Sequence, residues 1–180
     1  MTLTAPEVEK RTLRLTVVVH GGPAPQGSKK YAGHRRNAAS GRISAVLIEQ
    51  SKRVKPWRQQ VHDAALAATR HYSNWQAIDG PITAEMSFTV RDKPNARPVW
   101  WPPGIRWSRH LHWRPASSPD LSKLLRSTED ALTTAGAWKD DARVVQYDHL
   151  AKYYVGHPHP DALDQPGAII RLYTLAGAPE

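Results

Sequence analysis

Apolar and polar residues alternate in four stretches of this chain and recur at helical spacing in two others. Leu13, Leu15, Val17 and Val19 alternate with Arg14, Thr16 and Val18, the period of a strand, and Gly21-Gly22-Pro23 ends the run. Ile82, Ala84, Met86, Phe88 and Val90 alternate with polar neighbours and predict a second strand. A third runs from residue 144 to about 155, with Val144, Gln146, Asp148 and Leu150 on one face and Val145, Tyr147, His149, Ala151 and Tyr153 on the other. Ile169, Arg171, Tyr173 and Leu175 predict a closing strand. Between the first two strands, Trp57, Val61, Ala64, Ala65, Ala68 and Tyr72 mark the buried stripe of a helix. Either Pro56 is its first residue or Ser51 caps it one turn earlier. Residues 43–48 form a short apolar run that fits a strand or a helix equally.

The second helix has the clearest local signals. Ser118 is placed to cap it, Pro119 suits the first helical position, and Asp120 sits where the helix dipole favours negative charge. Leu121, Leu124, Leu125, Thr128, Ala131, Leu132 and Ala135 fall on one arc; Asp120, Ser122, Lys123, Arg126, Ser127 and Asp130 fall on the rest. Gly136 can stop the helix in the left-handed conformation. Ala137-Trp138-Lys139 then leads to Asp140-Asp141, and a strand-like run begins at Ala142. A strand antiparallel to that helix can bring Asp120 and the acidic pair to one place. Clustered carboxylates repel one another unless a divalent cation neutralises them, and hard oxygen ligands suit Mg²⁺ or Mn²⁺. Arg126 shares a face with Ser122 and can hold a phosphate oxygen or a leaving group. On spacing alone, ordinary capping and turn chemistry is the more frequent use of the same residues.

The element order is therefore β-α-β-α-β-β: an α+β domain with a mixed sheet over residues 11–176, between tails 1–10 and 177–180. With 180 residues and 40% hydrophobic content, one domain with a real core is expected. The net charge of +9 and a pI near 10.0 point to a polyanionic partner. Nucleic acid fits better than a membrane surface, because no basic stretch carries a large apolar face. There are no cysteines, which excludes disulfides and cysteine-ligated zinc and suits the cytoplasm. No signal peptide and no membrane-spanning run is expected.

Several segments add to this picture. Residues 22–29 approach a phosphate-binding loop, but Ser28 precedes Lys29 where the lysine must come first, so a nucleotide hydrolase is rejected. Lys29, Lys30, Arg35 and Arg36 instead make a basic, flexible segment suited to DNA phosphates. Lys52, Arg53, Lys55 and Arg58 read evenly as a solvated helix end or as more of the basic face. Residues 91–117 hold Trp100, Trp101, Trp107 and Trp113 with five arginines and several prolines and read as an inserted loop. Its tryptophans either cover the core, the more frequent use, or stack on unpaired bases. His157 and His159, like His110 and His112, are more often loop histidines than metal ligands.

The run Pro119-Asp120-Leu121-x-Lys123-Leu124-x-Arg126, then Asp130-Ala131-Leu132-Thr133, Gly136, Trp138, Asp140-Asp141-Ala142-x-Val144-Val145 and Lys152, resembles the RusA family of Holliday junction resolvases. The match is dense from Asp120 to Lys152. It is looser over residues 13–72, where Gly27-Ser28-Lys29 and Trp57-Arg58 are similar to family features. The resemblance implies a homodimeric, Mg²⁺-dependent endodeoxyribonuclease of the bacterial cytoplasm, encoded by a phage or prophage, with Mn²⁺ as substitute. Its DNA substrate is the four-way junction, cut by paired symmetric incisions. Carried over residue by residue, Asp120, Asp141 and Asp140 hold the metal. Arg126 stands where the family has a catalytic lysine; it keeps the charge but does not release a proton. Lys123 and Lys152 are read as phosphate contacts. Ser122 stands where the family has a second helix aspartate. That departure leaves an alternative open, a branched-DNA-binding protein with weak or no cleavage.

Overall fold

The computed structural model describes residues 10–27, 29–36, 41, 43–49, 52–107 and 113–175, without the side chains of 29–32, 35–36 and 44–49. The tails at 1–9 and 176–180, with His110 and His112, lie outside the described residues. In chain order the elements are β1 (Arg11–His20), β2 (Lys29–Arg36), β3 (Ile43–Glu49), α1 (Val54–Thr69), β4 (Ile82–Arg91), α2 (Leu121–Thr134), a 3-10 turn (Asp141–Arg143), β5 (Val144–Tyr154) and β6 (Gly167–Leu175). The four-stranded sheet runs β1-β6-β4-β5. β6 is antiparallel to both β1 and β4, whereas β4 and β5 are parallel. The fold is α+β with a mixed sheet and two helices.

Alternation becomes packing most directly in β4, the strand between β6 and β5. Ile82, Ala84, Met86 and Phe88 are fully buried under the helices. Thr83, Ser87 and Thr89 are buried too; the return loop before β6 covers the Thr89 end, where Leu163 N–H donates to Thr89 Oγ1 at 2.9 Å. From the β1 edge, Leu15, Val17 and Val19 meet Leu172, Ile170 and Ala168 on the helix side. The buried face of β6 is thus carried by its even-numbered residues. Leu13 departs from the expected stripe: a bulge at Arg14 shifts the register between Leu13 and Leu15, and Leu13 is left 51% exposed. β5 also breaks strict alternation. Its register against β4 shifts between Ala84 and Glu85, so Tyr147 and Leu150 pack toward α2 and the core while His149 faces the other way.

Three local expectations are corrected. α1 starts at Val54 with Arg53 as N-cap, so neither Pro56 nor Ser51 opens it, and Val54 joins Trp57, Val61 and Ala65 in the core. Tyr72 lies past its end, 49% exposed, against Trp75. α2 is capped at Asp120, not Ser118. Asp120 has extended backbone angles (φ −67°, ψ 135°), and no side chain caps the free amides. The cause is competition, since the Asp120 carboxylate is taken by Lys123. At the far end of α2 the expectation holds: Gly136 (φ 71°) donates to Thr133 O and Ala137 N–H to Leu132 O, each at 3.0 Å, closing the helix in a left-handed stop.

Lys29, Lys30, Arg35 and Arg36 are not on a flexible loop. Their backbone is strand β2, antiparallel to β3, and this hairpin forms its own two-stranded sheet. Residues 29–36 lack apolar alternation, so only pairing with the apolar run 43–49 makes them a strand. The loop at 91–107 and 113–117 is tied together by its own indoles. Trp101 is 2% exposed and meets Trp100, Trp107 and Trp113 in edge-on contacts, while Trp101 and Trp107 donate to Ile105 O and Pro94 O. It is a satellite cluster beside the main core.

Candidate functional site

α2 and the 3-10 turn that follows it position the acidic residues singled out in the sequence, and the helix separates them. At its N-terminal end, Asp120 is exposed and its Oδ2 lies 2.8 Å from Lys123 Nζ, one turn along. The hydrogen bond and charge of Lys123 hold the Asp120 carboxyl below its ordinary range, with a smaller pull from Lys152. Lys152 reaches this end from β5, donating to Ser117 O at 2.9 Å and Pro119 O at 2.7 Å. Burial, first, lowers the pKa of its ammonium, opposed by Asp120 and reinforced by Arg91. Arg91, at the end of β4, holds Ser117 through its hydroxyl. Two cations from neighbouring strands therefore fix the turn that presents Asp120. Ser122 is exposed beside it.

The acidic pair lies toward the other end. Asp140 caps the 3-10 turn, its Oδ1 accepting from Ala142 N–H at 2.8 Å. Asp141 is exposed and stands within electrostatic reach of Glu129 and Tyr147. Tyr147 donates to Glu129 across the helix–strand gap. Burial is the main cause that raises the Glu129 carboxyl, and the negative charges of Asp141 and Asp130 add to it, against the Tyr147 bond and Arg126. Arg126 is exposed between the two ends, one turn before Glu129.

Glu129 is nine residues from Asp120, a helical rise of about 14 Å. A single chain thus holds Asp120 with Lys123 and Lys152, and separately Asp141 with Glu129. Among the described residues no three His, Asp or Glu side chains converge as a metal site. The acidic residues of one chain do not by themselves fit a resident metal ion. Glu129, Tyr147 and Arg91 were missed from the sequence. Glu129 had a faint signal, three residues after Arg126 on one helix face; Tyr147 and Arg91 had none, because their partners are far along the chain.

The remaining candidates divide. The side chains of Lys29, Lys30, Arg35 and Arg36 lie outside the described residues. Residues 21–27 lead into a strand and not a helix, as the rejection of a nucleotide-binding loop requires. They cross α2 instead: Gln26 N–H donates to Lys123 O at 2.9 Å, and the buried Ser127 hydroxyl lies 2.7 Å from Ala24 O. His157 and His159 pack in a stack with Tyr153 and His149 rather than standing free, with His149 and His159 5.2 Å apart.

Fold and site together define a class: a mixed-sheet α+β protein, strongly basic, whose central helix displays carboxylates at both ends and cations between. The family model of endodeoxyribonuclease RusA matches residues 23–160, and the chain belongs to that family. It is an endodeoxyribonuclease of the crossover-junction class. No curated protein matches the sequence. No helix among the described residues is long and apolar enough to cross a membrane.

Proposed function

We propose that this chain is a Mg²⁺-dependent resolvase that acts as a homodimer and cuts four-way DNA junctions by paired symmetric hydrolysis. The observation that carries this reading is the separation of Asp120 from Asp140 and Asp141 along α2, next to β5, an edge strand of the sheet. A second copy lying antiparallel along that edge brings Asp120 of one chain toward the acidic pair of the other, twice per dimer. Two equivalent sites are what symmetric cuts in two strands require. Asp120 and Asp141, with Asp140, would hold the Mg²⁺, for which Mn²⁺ would substitute; a bound metal of this kind supplies an activated water and charge neutralisation at the phosphodiester. Arg126 stabilises the developing charge on the phosphate and stays protonated throughout. Lys29, Lys30, Arg35, Arg36 and Lys123 contact phosphates. Lys152, with two backbone carbonyls already on its ammonium, acts first by holding the Asp120 turn. The same reading places the enzyme in the bacterial cytoplasm as a phage or prophage product.

Ser122 supports a second reading, because it supplies no carboxylate beside Asp120. In that reading the chain binds branched DNA and cleaves it weakly or not at all. Cleavage of a labelled four-way junction in Mg²⁺ or Mn²⁺, beside a linear duplex, separates the two. Asp120→Asn and Asp141→Asn are each expected to abolish cutting. Mixed together, they rebuild one intact shared site per heterodimer, so single-strand nicks should return. No recovery on mixing refutes shared sites; tight binding without cuts by the wild type favours the binder.

A further inference from the structure

α1 begins with charge of the wrong sign. Arg53 is its N-cap, its first turn carries no acidic residue, and no side chain caps it. Lys52, Arg53 and Lys55 are exposed there, and among the described residues none of them forms an ion pair. The N-terminal end of a helix already carries positive partial charge, so cations on it raise the energy of the isolated protein. Beside this end, α1 and α2 enclose a cleft of about 410 Å³ lined by Lys55, Arg58, Gln59, His62, Asp130 and Thr134. Arg58 crosses it to pair with Asp130, yet its Nε is buried without a hydrogen-bond partner. Arg126 lies one turn before Asp130 on α2, so cations continue from this cleft along α2 toward Lys123 and Asp120.

We infer that the α1–α2 cleft is a second binding site for the DNA backbone, taking one phosphate between Lys55 and Arg58 and a neighbouring one at Lys52 and Arg53. A phosphate there neutralises the cations on the helix end, accepts from the exposed part of the Arg58 guanidinium, whose side chain is 33% exposed, and uses the dipole that the side chains oppose. Asp130 serves as the stand-in anion that holds Arg58 in place when no DNA is bound. The inference rests on the proposed DNA substrate but not on cleavage or on the dimer.

The test is equilibrium binding of the full chain to a four-way junction and to a linear duplex, with EDTA present, over a range of salt. Each neutralised phosphate contributes about 0.9 to the slope of log affinity against log salt. Lys52→Ala/Lys55→Ala should reduce the slope on both DNAs by about 2. Asp130→Asn should tighten binding and leave the slope as steep or steeper. Arg70→Ala, at the opposite end of α1, is the control and should leave the slope unchanged. An unchanged slope in the double variant, or an equal fall in the Arg70 control, overturns the inference. Equal affinity of the wild type for junction and duplex counts against the junction reading instead, and the slopes still decide the cleft.

Discussion

Two serines five residues apart on α2 give a direct test of what holds the site in place. Ser122 is exposed, whereas Ser127 is fully buried, with Oγ 2.7 Å from Ala24 O and 2.9 Å from Leu124 O. A hydroxyl has one hydrogen, and Leu124 O already accepts from the Thr128 hydroxyl at 2.9 Å, so Ala24 O is the acceptor that depends on Ser127. Ser127→Ala leaves that buried carbonyl without a donor, at a cost of about 1–3 kcal/mol. Alanine's better helix propensity returns roughly 0.5 kcal/mol. The net loss centres near 1.5 kcal/mol, which in a chain of this size lowers the thermal midpoint by about 3–6 °C. Ser122→Ala has only the propensity term and should be neutral or stabilising by up to about 0.5 kcal/mol. Urea unfolding at one fixed protein concentration measures both, because self-association would otherwise shift the midpoint. The anchored loop leads straight into β2, so Ser127→Ala should also weaken junction binding while Ser122→Ala does not. Stabilities within about 0.5 kcal/mol of one another for the two variants would refute the assignment of Ser127 as the anchor of residues 21–27.

Other outcomes follow from the same geometry. A Cβ on Gly167 would lie 2.2 Å from Val19 O, a backbone atom, whereas nothing stands within 4 Å of one on Gly136. Gly136→Ala should therefore cost only the left-handed conformation, about 1–2 kcal/mol, and Gly167→Ala should cost more and expose the β1–β6 pairing to amide exchange. Arg171 grips Asp161 with both nitrogens, at 2.6 and 2.9 Å, and its hydrogen bonds hold the Asp161 carboxyl below its ordinary value. A depressed carboxyl stabilises the fold above its unfolded pKa and loses that contribution as pH falls through the folded one. Asp161→Asn should thus cost about 1.5–3 kcal/mol at neutral pH, with the gap to wild type closing in strong acid; a gap independent of pH excludes the ion pair as its source. Lys152→Met removes the donors to Ser117 O and Pro119 O, and cleavage should fall by about tenfold or more. The salt slope of binding should move by less than one phosphate contact; a fall of about 0.9 would make Lys152 a DNA contact instead.

What the sequence determined alone is whatever depends on neighbours within a few turns. Periods of 2 and 3.6 placed β1, β4, β5, β6 and both helices, and a glycine past the last apolar residue placed the end of α2. The motif around Asp120 and Asp140-Asp141 led to the family because it is contiguous. Tertiary structure decided the rest, and in each case the deciding partner is distant. β2 exists only through its pairing with β3. Ser127, placed by periodicity on the polar arc, is buried because residues 21–27 cross it. Asp120 became the cap in place of Ser118 because Lys152 and Arg91, from two strands, hold the preceding turn. Above all, the sequence grouped the carboxylates as if nearness along a helix and strand meant nearness in space. Antiparallel packing of β5 on α2 set Asp141 beside Glu129, and the nine residues of helix between Glu129 and Asp120 are a rigid spacer of about 14 Å that no local signal can shorten.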